Sequence, residues 1–229
     1  MVQSRIAAYL SRHAEGLAST TLPSPRPVRH VVCIPVCDED QGFLETLKSL
    51  AEVDGAGDAL LMVLVNGAED APAQLHERNG QFLKWFRDVI GAQAAPLALG
   101  TWEGMQVLVV DRASTGQRLP AKQGVGLARK ILGDLALALH THGTIASPWM
   151  ACTDADVRLP RDYLRSLPDD DAPFSAALYP FVHVPEGPPA QQRAMKQYEC
   201  FLHYVVLGMG WAGSPYAYHS VGSSFAVHM

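Results

Sequence analysis

Four short apolar runs, separated by stretches of helical periodicity, constrain this chain more than any other feature. Residues 30–35 read HVVCIP, 59–65 ALLMVLV, 106–110 QVLVV and 148–153 PWMACT. None alternates apolar with polar, so each suits a strand covered on both faces. Between the first two runs, Phe43, Leu44, Leu47 and Leu50 recur at helical spacing, which predicts a helix over 41–53. Asn66-Gly67 turns the chain after the second run. Pro72 then suits the first turn of a helix over 72–94, although Gly80 weakens its middle. Residues 122–141 form a third helix, rich in Ala and Leu. Later strands are expected over 174–179 and 223–227, with a helix over 191–209. The order β-α-β-α-β-α-β is that of an α/β domain with a mostly parallel central sheet flanked by helices.

Ahead of this pattern, residues 3–18 place Ile6, Leu10 and Leu17 on one side of an amphipathic helix. TLPSPRPVR follows, and its three closely spaced prolines end any helix and make a stiff linker. The expected division is an N-terminal helix and linker over 1–27 and one domain over 28–229. With 229 residues, 48% of them hydrophobic, the chain can bury one sizeable core. Its net charge of −5 argues against a nucleic-acid or anionic-lipid partner, while leaving room for a local phosphate pocket. Cys33 and Cys37 are spaced CxxxC around a proline and no second ligand pair stands out. Reduced cysteines in a cytosolic protein are the simpler reading than a zinc site. The N-terminus lacks the apolar core of a secretory signal. The apolar stretch 204–212 is far shorter than the roughly 20 residues a bilayer span requires. A cytoplasmic chain is expected, with peripheral membrane attachment left open.

In open sheets of this kind, ligands sit beyond the carboxyl ends of the strands. Residues 35–38, 66–70, 111–122 and 154–156 all lie just past predicted strand ends, so they are expected to share one rim. The most pointed of these segments is Thr153-Asp154-Ala155-Asp156. Two carboxylates one residue apart can both serve a hard cation such as Mn²⁺ or Mg²⁺, which favours oxygen ligands and substrate phosphates. The alternative is a polar loop in which one aspartate caps a helix starting near Pro160. In Arg118-Leu-Pro-Ala-Lys122-Gln-Gly-Val-Gly-Leu-Ala-Arg129, Gly124 and Gly126 would let a ligand approach a helix start. Lys122 or Arg129 would offset phosphate charge there. The competing reading has the glycines serving helix–sheet packing and the cations pointing into water. GxxxxGK[ST] is absent, and no glycine-rich loop directly follows the first strand, so neither a P-loop nor a dinucleotide fingerprint is present.

Three segments resemble family 2 glycosyltransferases. HVVCIPVCDEDQGFLETLKSL is similar to that family's opening strand, Pro-x-x-Asn-Glu and helix. ALLMVLVNGAED is similar to its second strand, which normally ends Asp-Asp/Asn-Gly-Ser-x-Asp. TDADVRLPRDYL resembles its metal-binding strand end, where Asp-x-Asp precedes a proline and a short helix. The arrangement of Lys122, Gly124, Ala128 and Arg129 resembles that of polypeptide N-acetylgalactosaminyltransferases. The likeness runs from about residue 29 to 229. It implies a GT-A fold that binds a nucleoside-diphosphate sugar and transfers the sugar to a carbohydrate, lipid or small-molecule acceptor. On that basis Pro35, Val36 and Asp38 would lie by the nucleoside, with Asn66 and Asp70 on the second loop. Asp154 and Asp156 would meet the metal, Asp156 as direct ligand and Asp154 shared with the ribose. The family's base-reading aspartate falls at Val65 and its serine at Ala68, so uridine is not implied and GDP donors are at least as open as UDP donors.

Weaker candidates are Trp211 and Tyr216 in GWAGSPYAYHS, where the family lines its acceptor site; ordinary burial is the alternative. His183, His203, His219 and His228 are each read as ordinary core or surface residues. An inverting transfer needs a base near the acceptor hydroxyl, and the family's lies in a Glu-Asp motif after a strand like VGSSFAVHM. The last acid here is Glu199, so the chain reads as the donor-binding part of a longer enzyme; a retaining mechanism would not need that base. Two other readings stay open. A nucleotidyltransferase of related fold should show a glycine-rich loop with Arg after the first strand, which PVCDED does not. A non-catalytic nucleotide- or carbohydrate-binding module would fit the missing base.

Overall fold

The computed structural model describes residues 2–20, 22–185, 187–219 and 224–229. It is an α/β fold around a seven-stranded mixed sheet. In chain order the elements are α1 (Val2–Arg12), β1 (His30–Val36), α2 (Phe43–Ala51), β2 (Ala59–Asn66), α3 (Ala73–Ile90), β3 (Leu97–Trp102), β4 (Met105–Arg112), α4 (Val125–Thr141), β5 (Trp149–Cys152), β6 (Ala176–Leu178), α5 (Pro189–Trp211) and β7 (Phe225–His228). The strand order is β3-β4-β2-β1-β5-β7-β6. The centre, β4-β2-β1-β5, is parallel, while β3, β7 and β6 join by antiparallel pairing.

Period-two geometry divides the central strands between two cores. Val32, Ile34, Leu61 and Val63 face α2 and α3, packing with Phe43, Leu47, Phe82 and Phe86. Val31, Cys33, Leu60 and Met62 face the other way onto α4, against Ile131, Leu132 and Leu135. With both faces sealed, β2 is buried at all eight positions. That explains why the strands read as unbroken apolar runs.

The structure adjusts several expected boundaries. The sequence places the end of the first strand at Pro35, yet β1 continues to Val36. Cys33 C=O accepts from Thr153 N–H at 3.1 Å, so alternate residues 31, 33 and 35 present their backbone groups to β5. β5 ends at Cys152, opposite Cys33, so the N–H that Pro35 lacks has no strand to serve. The helix expected over 3–18 stops at Arg12, with a short 3₁₀ turn over Gly16–Ser19. The amide of Glu15 donates to Asp134 Oδ2 at 2.8 Å instead of continuing the helix. Tyr9 Oη also donates to Asp134, at 2.8 Å, and Lys130 Nζ lies 2.7 Å from it, so this buried carboxylate docks the N-terminal segment on α4. The linker is pinned too, because Arg26 donates to the carbonyls of Gly57 and Gly104, both at 2.8 Å.

The edge strand β3 is absent from the sequence reading. LALGTW shows no clear alternation, and its pairing is set by the two-residue turn Glu103-Gly104. Both residues have positive φ, 46° and 82°, the backbone of a tight hairpin turn matched to strand twist. The fifth expected strand, 174–179, is shortened to β6; of the sixth, expected over 223–227, residue 223 lies outside the described residues and β7 covers Phe225–His228. The short helix expected after Pro160 is present only as hydrogen-bonded turns, such as Tyr163 N–H to Pro160 C=O at 3.1 Å. Among the described residues, no helix is long and apolar enough to cross a membrane.

A methyl group on Gly100 of β3 would lie 2.4 Å from the carbonyl oxygen of Ile90 at the end of α3. Gly100→Ala is therefore expected to destabilise the fold by about 1–3 kcal/mol, measured by urea unfolding.

Candidate functional site

The carboxyl ends of the four parallel strands gather on one edge, and hydrogen bonds hold the loops that leave them. Gly67 C=O accepts from Leu119 N–H at 3.0 Å, and Leu119 C=O accepts from Glu69 N–H at 2.9 Å, joining the loops after β2 and β4. Asp70 Oδ1 takes the amide of Lys122 at 3.1 Å. The loop after β5 is tied to α2, where Thr46 Oγ1 donates to Ala155 C=O at 2.6 Å.

Asn79, fully buried on α3, links the first two loops. Its Oδ1 accepts the amide of Asp38 at 2.9 Å, and its Nδ2 donates to Asn66 C=O at 2.9 Å. The sequence reading missed this residue. The available signal was a polar side chain on the apolar stripe of α3, in phase with Phe82, Leu83 and Phe86. Asn66 is itself 4% exposed, with a buried Oδ1 lacking a hydrogen-bond partner among the described residues.

Two expected site residues hold left-handed backbone, Asp38 at φ 64° and Lys122 at φ 63°. Such conformations are uncommon away from glycine and persist where the surroundings fix them. Asp38 is fixed by Asn79 and by Arg78, whose Nε and Nη2 both donate to its carboxylate. The hydrogen bond from Arg78 holds the Asp38 carboxyl below the usual carboxylate range. The side chain of Val36 lies in the core, 1% exposed, and Pro35 is also buried, so neither offers a side-chain surface to a nucleoside.

Asp154 is partly buried and Asp156 is exposed. Arg129 Nη2 lies 2.8 Å from Asp154 Oδ1, so this guanidinium is paired with the carboxylate and does not stand alone for a phosphate. Glu39, which the sequence reading did not single out, faces the same pair. Burial pushes its carboxyl up, and the charges of Asp156, Asp40, Asp38 and Asp154 push it further. The rim thus concentrates carboxylate charge, with Arg78 paired to Asp38 and Arg129 to Asp154. That oxygen-rich field suits a hard divalent cation. Among the described residues no three metal-ligating side chains converge on one point. A cation held by Asp154 and Asp156 would therefore draw its remaining ligands from a bound phosphate and water.

Trp211 and Tyr216 are the two residues expected on the acceptor side. They lie at the end of α5 and in the loop beyond it, 96% and 68% exposed. Compared with known proteins, the chain matches no protein-family model and no curated protein sequence.

Asp111, at the end of β4, shapes the loop leading to Lys122. It accepts from the amides of Ala113 and Ser114 at 3.0 and 2.9 Å, from Ser114 Oγ at 2.7 Å and from Arg87 at 3.0 Å. Burial alone would raise its carboxyl, but these donors together outweigh that and lower it. A carboxyl lowered in the folded state adds stability above its unfolded pKa. That contribution disappears as pH falls through the folded value. Acidification from pH 7 to below about 4 should therefore lose stability that Asp111→Asn lacks throughout, giving the variant a shallower pH–stability curve in urea titrations.

Proposed function

We propose that the chain is a metal-dependent glycosyltransferase domain of GT-A type that binds a nucleoside-diphosphate sugar at this rim. The observation that carries the reading is the shared edge of the parallel strands: hydrogen bonds join the loops after β1, β2 and β4, and the loop after β5 is tied to α2 and α4, so Asp38, Asn66, Asp70, Lys122, Asp154 and Asp156 lie along one rim. That edge is where open α/β sheets bind nucleotides. The three segments similar to family 2 glycosyltransferases all contribute to it.

In this reading Asp154 and Asp156 hold Mn²⁺ or Mg²⁺, with Asp156 the direct ligand because Asp154 already carries Arg129. The metal, when bound, offsets charge building on the leaving diphosphate. Lys122, exposed two residues before the loop reaches Gly124, supplies a cation for the phosphates, and Arg129 adds to the same field through Asp154. The nucleoside lies against the backbone of residues 35–38, because the side chains of Pro35 and Val36 face the core. The donor is a UDP or GDP sugar. The acceptor is a carbohydrate, a lipid or another small molecule.

Calorimetry with UDP and GDP, with and without Mn²⁺, tests the reading. One of the two should bind in a Mn²⁺-dependent manner. Asp156→Ala should weaken that binding by about two orders of magnitude, since even indirect partners of a metal site cost about 10- to 100-fold. Its urea unfolding curve should be unchanged. Equal binding by the variant would remove Asp156 from the metal site, and no binding by the native chain would refute the donor assignment.

A further inference from the structure

A second concave site lies along α5. A groove of about 330 Å³ runs between this helix and the segment that follows β6, with Phe181, His183, Tyr198, Phe201 and Met209 among its walls. That volume is at the small end of ligand pockets, which are typically about 300–1,000 Å³, mainly apolar and set with a few polar groups. The polar group here is built. Glu199 of α5 accepts both the backbone amide and ring Nδ1 of His183, each at 2.7 Å. Those contacts hold the Glu199 carboxyl below the usual carboxylate range. An ionised carboxylate can only accept, so Nδ1 carries the proton. In the neutral imidazole that leaves Nε2 as a lone-pair base, with no hydrogen-bond partner among the described residues. The rings of Phe181 and Tyr198 flank His183 with centroids 5.5 Å away.

Topology relates this groove to the acidic pair. β6 is antiparallel to β7, and β7 is antiparallel to β5, so β6 and β5 run the same way. The chain bearing Phe181 and His183 therefore leaves the sheet at the edge from which residues 153–156 leave it. Two strand spacings, roughly 9–10 Å, separate the two exits along the sheet.

We propose that this groove is the acceptor pocket, that its acceptor carries a hydroxyl on an apolar or aromatic body, and that His183, held by Glu199, takes the hydroxyl's proton. The inference rests on the transferase reading above. In the step, the hydroxyl oxygen forms the new bond to the anomeric carbon of the donor sugar. The bond from that carbon to the diphosphate oxygen breaks, and its electron pair leaves with the nucleoside diphosphate. The hydroxyl proton passes to Nε2 of His183. Glu199 acts as a positioning residue by fixing the ring and its tautomer. The apolar walls select the acceptor's body.

The test uses 2-phenylethanol and its methyl ether as probes on the full chain, followed by calorimetry and by the His183 ring resonances. The alcohol can donate to Nε2 and the ether cannot. The native chain should bind the alcohol about fivefold more tightly, the effect of one hydrogen bond. His183→Phe should bring the two affinities to parity. Phe201→Ala should weaken both probes and leave their ratio intact. With a UDP or GDP sugar present, His183→Gln should slow alcohol-stimulated nucleotide release by about 100-fold or more. The KM for the alcohol should stay within about threefold, because the lost interaction belongs to the proton transfer. Equal affinities for alcohol and ether in the native chain, or a ratio that survives in His183→Phe, overturns the hydroxyl site. An unchanged rate in His183→Gln overturns the base role. If neither UDP nor GDP binds the native chain, the transferase reading fails and the acceptor role with it; the alcohol-to-ether ratio then decides the hydroxyl site on its own.

Discussion

The sealing of the central sheet on both faces governs everything else in this chain. Strands β4, β2, β1 and β5 have helices or packed side chains above and below, so polar groups near them have room only at the strand ends. Parallel strands open their carboxyl ends on the same edge, so that room is shared. Asp38, Asn66, Asp111 and Asp154 mark four such exits, and each is held by a hydrogen bond from a neighbouring helix. The rim's geometry thus follows from where the hydrophobic runs stop.

The charge at this rim is unevenly paired. Asp38 has Arg78, Asp111 has Arg87 and Asp154 has Arg129, three carboxylates each given a guanidinium. Among the described residues Glu39 has no such partner, and its carboxyl is raised by burial and then by the charges around it, first that of Asp156. These three arginines thus hold loops, while Glu39 and Asp156 lie close enough for the charge of one to act on the other. In a folded protein such a like-charge pair favours the arrival of a proton or a cation. That is the electrostatic content of the metal proposal, and it depends on no resemblance to another protein.

Much of this was legible in the residues, for reasons that can be named. HVVCIP, ALLMVLV, QVLVV and PWMACT could be read as buried strands because burial on both faces leaves polar residues only at their ends. The rim followed, since strand direction fixes where the exits lie. What escaped was set by contacts distant in sequence. The strand β3 depends on a turn at Glu103-Gly104 and on a close approach of Gly100 to Ile90, neither visible as a period. α1 ends where it does because Asp134, more than a hundred residues away, captures the amide of Glu15. Asn79 looked like an ordinary helical asparagine, although it joins two rim loops. The pairing of Arg129 with Asp154 was not legible either, because the sequence cannot tell which anions a cation meets. The dyad of His183 and Glu199 joins a post-strand segment to a helix, and neither residue carries a local motif.

The central claim is that these four loops form one ligand site around Asp154 and Asp156. Paramagnetic broadening of backbone amides by Mn²⁺ in the presence of UDP or GDP measures this directly. The account predicts that amides of residues 37–40, 67–70, 122–126 and 154–156 broaden together, while those of α1 and the turn at Glu103 stay sharp. Broadening limited to 154–156, or spread evenly over the surface, would contradict it.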